Sequence, residues 1–210
     1  MPGPAPSRDR ALHWNDAYRS KGSAGVSWFQ STPTVSLELI EALEVPHGAA
    51  VIDIGGGSSS LVDHLVQRGF TDVSVLDLSD VALDEARGRL GPDAPVSWWC
   101  EDVLLWTPPR RYDVWHDRAV FHFLTNGADR DTYLRTVTSA IRPGGALVMA
   151  TFAEDGPDHC SGLPVARYST ARLSALLGDA FEVVAERREV HTTPAGVAQP
   201  FSWIAARATQ

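Results

Sequence analysis

Apolar positions along the chain alternate between two rhythms. The run AAVIDI at 49–54 is short and continuous, as expected of a strand covered on both faces, and it ends in Gly55-Gly56-Gly57. Leu61, Val62, Leu65 and Val66 then recur at helical spacing. The same pair of rhythms returns: VSVLDL (73–78) reads as a strand and SDVALDEARGRL (79–90) as a helix. VSWWCED (96–102) is a third strand with no long helix behind it. YDVWHDRAVFHFL opens as a fourth strand at Tyr112, DRDTYLRTVTSAI (129–141) is a helix, and ALVMATFA (146–153) is a fifth strand after Arg142-Pro143-Gly144-Gly145. Strands alternating with helices predict an α/β fold, with a parallel sheet covered on both faces. FEVVAERREVHTTP (181–194) and PFSWIAARA (200–208) differ, because a Pro/Gly turn joins them into an antiparallel hairpin. Upstream, an aromatic-studded polar segment from Leu12 runs into a helix carrying Val35, Leu37, Leu39, Ile40 and Leu43, which stops near Pro46-His47-Gly48. The expected organisation is a disordered Pro-rich tail over 1–11 and one domain over 12–210, whose residues 12–46 form a lid segment and helix.

Composition narrows the chemistry. The 210 residues carry 18 Lys plus Arg against 26 Asp plus Glu, a formal net charge of -8. That sign argues against a nucleic-acid backbone or an anionic membrane as the main partner. The only lysine is Lys21, which rules out a Walker A loop and leaves Schiff-base chemistry without a suitable residue. Cys100 and Cys160 are too few for a disulfide framework and read as reduced cytoplasmic thiols. No stretch approaches the roughly 20 apolar residues of a membrane span, and MPGPAPSRDR lacks the apolar core of a signal peptide.

The glycine cluster sits where a first strand turns into a first helix, where backbone can approach a ligand and the helix presents free N–H groups. A loop that needs glycine only to turn would look the same. The second signal is Asp77, which ends the next strand 20 residues after Gly57, the offset of a carboxylate that accepts hydrogen bonds from ribose hydroxyls. Asp102 ends the third strand, placed either to accept from the exocyclic amine of adenine or to cap the strand end. An adenosine ligand follows. A dinucleotide does not, since Ser59 stands where the dinucleotide fingerprint has its third Gly or Ala.

The VIDIGGGSSS turn, VLDLS, CEDV, the YDVWHDRAVFHFL block and RPGGALVMATF, in this order and spacing, resemble the class I S-adenosylmethionine-dependent methyltransferases from about Trp14 onward. The resemblance implies a Rossmann-like, seven-stranded, mostly parallel sheet with a C-terminal antiparallel hairpin and helices on both faces. It also implies S-adenosyl-L-methionine as cofactor and S-adenosyl-L-homocysteine as product. On this basis Asp53, Gly55 and Gly57 would border the methionine part, and Ser59 and His116 would be further cofactor contacts. Asp77 would hold the ribose, with Leu78 beside it as a cofactor contact, Asp102 and Val103 would flank adenine, and Trp28 would close over the cofactor.

The segment after the fourth strand would face the transferred methyl, and supplies Asp117 and His122 as candidate bases and Arg118 and Phe121 as candidate acceptor contacts. Each has a plainer role: an ion pair for Asp117, a partly buried ring bonded to a carbonyl for His122. Trp14 and Tyr18 would join the lid, or simply staple the N-terminal segment to the core. The loop GPDHCSGLPVARYS adds Cys160, Arg167 and Tyr168 as substrate contacts, and Arg118 and Arg167 would suit an acidic acceptor. No spacing supports a metal site drawn from His116, His122, His159 and Cys160. Asp117, Trp28-Phe29 and Ser59-Ser60-Leu61 also resemble a subgroup that methylates protein lysines, but Arg118-Ala119-Val120 replaces its Lys-Gly-Thr. The reading is therefore a methyltransferase with a small-molecule acceptor and no membrane or nucleic-acid partner. A protein side-chain acceptor is the alternative. A nicotinamide dehydrogenase and a non-catalytic scaffold are the outside readings, the last favoured if side chains fill the space beside Asp117.

Overall fold

The structure is a computed structural model and describes residues 7–209. Four parallel strands follow the expected rhythm: β1 (Val51–Ile54), β2 (Val73–Asp77), β3 (Val96–Cys100) and β4 (Tyr112–Arg118). A fifth, β5 (Ile141–Phe152), pairs parallel with β4. A two-residue ribbon, β6 (His159–Cys160) with β7 (Leu163–Pro164), stands apart. β8 (Phe181–Thr192) and β9 (Ala198–Ala208) form the C-terminal hairpin, and β9 pairs antiparallel with β5. The sheet has seven strands in the order β3-β2-β1-β4-β5-β9-β8. The Rossmann-like expectation holds, antiparallel closure included.

The helices are α1 (Ser7–Lys21), α2 (Thr34–Ala42), α3 (Leu61–Gln67), α4 (Asp80–Leu90), α5 (Gly127–Ala140) and α6 (Thr170–Leu177). Leu37 and Ile40 of α2, Leu61 and Leu65 of α3 and Leu83 of α4 pack on one face of the sheet with Val51, Val75, Val114 and Val148. Tyr133 and Val137 of α5 and Leu173 and Leu177 of α6 pack on the other with Ile52, Trp115, Leu147 and Ile204. Each fully buried side chain of this kind contributes roughly 1.5–3 kcal/mol. Burial on both faces explains why β1 and β2 read as unbroken apolar runs.

The N-terminus departs from expectation. Residues 1–6 of the expected disordered tail lie outside the described residues, while 7–11 open α1, and the polar segment after Leu12 continues that helix. Polar contacts hold α1 in place. The Ser79 hydroxyl donates to Asn15 Oδ1 at 2.7 Å, and Arg10 forms an ion pair with Asp102. The fifth strand begins earlier than expected, with Arg142–Gly145 inside it. Helix α6, capped by the Ser169 hydroxyl accepting from the Arg172 N–H at 3.4 Å, was not anticipated.

Candidate functional site

The direction of strand succession reverses between β1 and β4, and in open α/β sheets ligands bind outside the carboxyl ends of the strands at such a point. A cleft of about 740 Å³ opens there. Its floor is Gly55, which follows β1, together with Arg118, Ala119 and Val120 at the end of β4. Asp77 and Leu78 from the end of β2, and Asp102 and Val103 after β3, form one wall. Trp14, Tyr18 and Trp28 roof it, and Cys160 and Leu163 of the short ribbon face them. A narrower pocket of about 50 Å³ lies beside it, lined by Asp53, Ser59 and His116, and shares Trp28, Gly55 and Arg118 with the cleft.

The glycine turn is built for close approach. Gly55 has φ +65°, and a Cβ there would collide with Val120. Gly57 has φ +46°, and its Cβ would lie 2.7 Å from the Tyr18 hydroxyl and 3.0 Å from Asp77 Oδ2. Asp77 is 8% exposed, and its Oδ1 accepts from the Ser79 N–H at 2.7 Å. Burial, with the negative Asp53 nearby, pushes its carboxyl up to about 7, against the pull of the backbone N–H groups that bond it. A buried carboxylate beside a glycine turn offers an acceptor to paired hydroxyls, so the residues present fit a ribose. Asp102 accepts from the Leu104 N–H at 3.0 Å and pairs with Arg10. The strand-end cap and the site position therefore coexist in one residue. Asp53 bonds His116 Nδ1 at 2.7 Å, and His116 Nε2 lies 3.0 Å from the Ser36 hydroxyl, a buried chain that fixes the Asp53 carboxylate. In the roof, the Trp28 indole N–H donates to the Tyr18 hydroxyl at 3.2 Å, and Trp14 packs edge-on against Trp28 and Phe123.

Several expected contacts lie elsewhere. Asp117 is wholly buried and accepts from the Val120 N–H at 2.8 Å and the Phe121 N–H at 3.1 Å, and also from the Tyr133 hydroxyl. It fastens the turn that Ala119, at φ +74°, makes after β4. His122 is equally buried, packed against Phe123 and Phe152, with Nδ1 accepting weakly from the Phe152 N–H at 3.4 Å. Burial and the nearby Arg118 charge hold it down to about 3, so it stays neutral and away from the cleft wall. Phe121 and Tyr168 pack against each other, their rings tilted by 40°, inside the core, and Arg167 donates to the Gly156 carbonyl at 3.1 Å. Cys160 does face the cleft, but burial pushes its thiol up to about 11, which keeps it protonated. Among the described residues no His, Cys, Asp and Glu gather in a metal-binding group.

Four contributors escaped the sequence reading: Arg10, Ser36, Tyr133 and the cleft wall from Phe123 to Gly127. Only the wall had a signal, the Asn126-Gly127 pair, where the Asn126 side chain accepts from the Asp129 N–H at 2.9 Å to cap α5.

A family model described as a methyltransferase domain matches residues 52–147. EEF1A lysine methyltransferase 2 of Danio rerio is 24% identical over 155 residues, covering 66% of this chain and 66% of that protein. Malonyl-[acyl-carrier protein] O-methyltransferase 2 of Ilyobacter polytropus is 22% identical over 106 residues, covering 50% of this chain and 40% of that protein. The chain thus spans less than two thirds of the length of these curated relatives. The solved Burkholderia thailandensis 1,6-didemethyltoxoflavin-N1-methyltransferase, bound to 1,6-didemethyltoxoflavin and S-adenosylhomocysteine, superposes with TM-score 0.74 at 21% identity, covering 100% of this chain and 94% of that one.

Proposed function

We propose that this chain, whose residues 52–147 match a methyltransferase domain, is a class I enzyme that transfers a methyl group from S-adenosylmethionine to a nucleophile on a small molecule. The observation that carries this reading is the pair of carboxylates, Asp77 at the end of β2 and Asp102 two residues past β3, on one wall of a cleft floored by the Gly55 turn. When bound, the cofactor supplies an activated methyl on a sulfonium. The protein's residues then have three tasks. Asp77 accepts from ribose hydroxyls and Asp102 from the adenine amine. The Asp53–His116–Ser36 chain presents a fixed carboxylate to the methionine end. Trp14, Tyr18 and Trp28 line the cleft, where they exclude water and set aromatic rings beside a cation. Positioning of this kind can supply most of the acceleration for an in-line displacement.

The two expected bases are enclosed, so the reading favours a nucleophile that arrives already deprotonated. Asp117 is packed on all sides, the condition that would favour a scaffold, yet the cleft opens at the very next residues, Arg118–Val120, which supports the enzyme reading. The aromatic roof and the β6–β7 ribbon enclose the acceptor side, which suits a small molecule better than a polypeptide. The zebrafish relative's name keeps a protein lysine as the second reading. No described helix is long and apolar enough to cross a membrane, and a cytoplasmic location is proposed on the two free cysteines.

Incubating the protein with a cell lysate and S-adenosylmethionine labelled on its methyl group tests the acceptor class. Label should accumulate in the small-molecule fraction and depend on the added protein. Label on polypeptide alone would transfer the assignment to protein side chains.

A further inference from the structure

Arg118 is unusual in its surroundings. It ends β4 on the floor shared by the cleft and the narrower pocket, half-buried, with its guanidinium 4.6 Å above the centre of the Phe201 ring. Its Nη1 donates to the Trp28 carbonyl at 3.1 Å. Nε and Nη2 are shut off from solvent with no acceptor at all. The nearest negative groups are committed elsewhere. Glu189 accepts from the Gln30 amide at 2.7 Å and from the Trp203 indole at 2.9 Å, and Asp53 is bonded to His116. A guanidinium carries five N–H donors in a planar fork and does not give up its charge in a protein. Leaving such a group without a counter-ion costs several kcal/mol.

The cost is compounded by the reaction. A sulfonium is itself a cation, and a guanidinium on the same cleft floor repels it. A molecule with an anionic group between the two offsets both charges. It also matches the planar fork, which can bond a carboxylate through two parallel N–H groups. In taking that place the anion displaces the Trp28 carbonyl from Nη1, exchanging a bond to a neutral acceptor for an ionic pair.

We infer that Arg118 is the docking residue for a carboxylate on the methyl acceptor, and hence that the acceptor is an anionic small molecule. This rests on the methyltransferase reading above and names the substrate class of that same cleft. The carboxylate serves as the handle by which the acceptor is held. The other source of the same chemistry is the α-carboxylate of the cofactor, and binding measurements separate the two.

The test is thermal unfolding of the full chain saturated with S-adenosylhomocysteine, with malonate or benzoate added against sodium chloride at equal ionic strength. Either carboxylate should raise Tm further in the unmodified protein and leave Arg118→Met unmoved. The variant should still bind S-adenosylhomocysteine within about threefold of the unmodified affinity. Removing an unpaired buried charge favours its folding, and Arg118→Gln serves if Met is not tolerated. The assignment is overturned if neither carboxylate shifts the unmodified complex. It is also overturned if Arg118→Met loses about tenfold or more in S-adenosylhomocysteine affinity while 5′-methylthioadenosine, which lacks the carboxylate, binds both forms alike. Absence of any S-adenosylhomocysteine binding would instead remove the reading on which the inference stands, so the two failures are distinct.

Discussion

Asp77→Asn should weaken S-adenosylhomocysteine binding at pH 8 by roughly tenfold to a hundredfold, the range expected when hydrogen bonds to a charged acceptor worth about 1.5–3 kcal/mol are lost. The same substitution should make the ligand-free protein more stable. Asp77 is buried and its carboxyl is pushed from 3.8 up to about 7, so the folded chain holds a proton that the unfolded chain has released over that interval. Its contribution to stability is complete below about pH 4, declines as pH rises towards 7, and stays at that lower level above. An amide of the same shape has no charge to desolvate. The variant's Tm should therefore exceed that of the unmodified protein by several degrees at pH 8, at about 2–4 °C per kcal/mol for a chain of this size, and the two should converge near pH 4. Affinity should follow the opposite course. Binding by the unmodified protein should weaken as pH falls through 7 and Asp77 takes up its proton, while binding by the variant stays flat. Calorimetric titration across pH 5.5–8.5 reads both trends. Equal affinities at pH 8 would remove Asp77 from the ribose position.

The second large effect is on folding. Asp117→Ala strips the acceptor from the Val120 and Phe121 N–H groups and from the Tyr133 hydroxyl, all of them at the turn that carries Arg118 into the cleft floor. Each orphaned buried group costs about 1–3 kcal/mol, so a loss of roughly 3–5 kcal/mol in denaturant unfolding is expected. Asp117→Asn keeps an acceptor oxygen and should recover most of it. Burial pushes the Asp117 carboxyl up to about 6, so at pH 5.5 the native residue is itself largely neutral and the Asn variant should come closest to it there. If Asp117→Ala unfolds at the same denaturant concentration as the unmodified chain, the buried role assigned to it is wrong.

These two aspartates show what the sequence can and cannot reveal. Asp77 and Asp102 could be placed on the cleft wall from the sequence, because a carboxylate at or just past the end of a parallel strand has its position fixed by the alternation of strands and helices alone. Asp117 is the last residue but one of its strand, yet its direction depends on the positive φ at Ala119 and on Tyr133 reaching across from α5, sixteen residues further along. Neither leaves a local pattern. His122 was a candidate for its chemistry, and the same turn drives it inward between Phe123 and Phe152. Helix α1 was missed because its buried residues, Asn15, Ala17 and Tyr18, draw no apolar stripe. It is held by Arg10 on Asp102 and by Asn15 on Ser79, partners distant in sequence. The short helix α6 follows directly on the loop read as a substrate contact, in a stretch that received no reading, while Tyr168 and Arg167 lie in that loop and the structure turns them away from the cleft. The Arg118-Ala119-Val120 departure from the lysine-modifying pattern carried more information than any match, since it marked the residues that floor the cleft.

Every role proposed above depends on this cleft holding S-adenosylmethionine through the wall of Asp77 and Asp102. The most direct measurement is a calorimetric titration of the full chain with S-adenosylhomocysteine at pH 8, run beside NAD. Saturable one-to-one binding of S-adenosylhomocysteine is expected, strongly weakened in Asp77→Asn, with no saturable heat from NAD. Saturable binding of NAD with none of S-adenosylhomocysteine would contradict it.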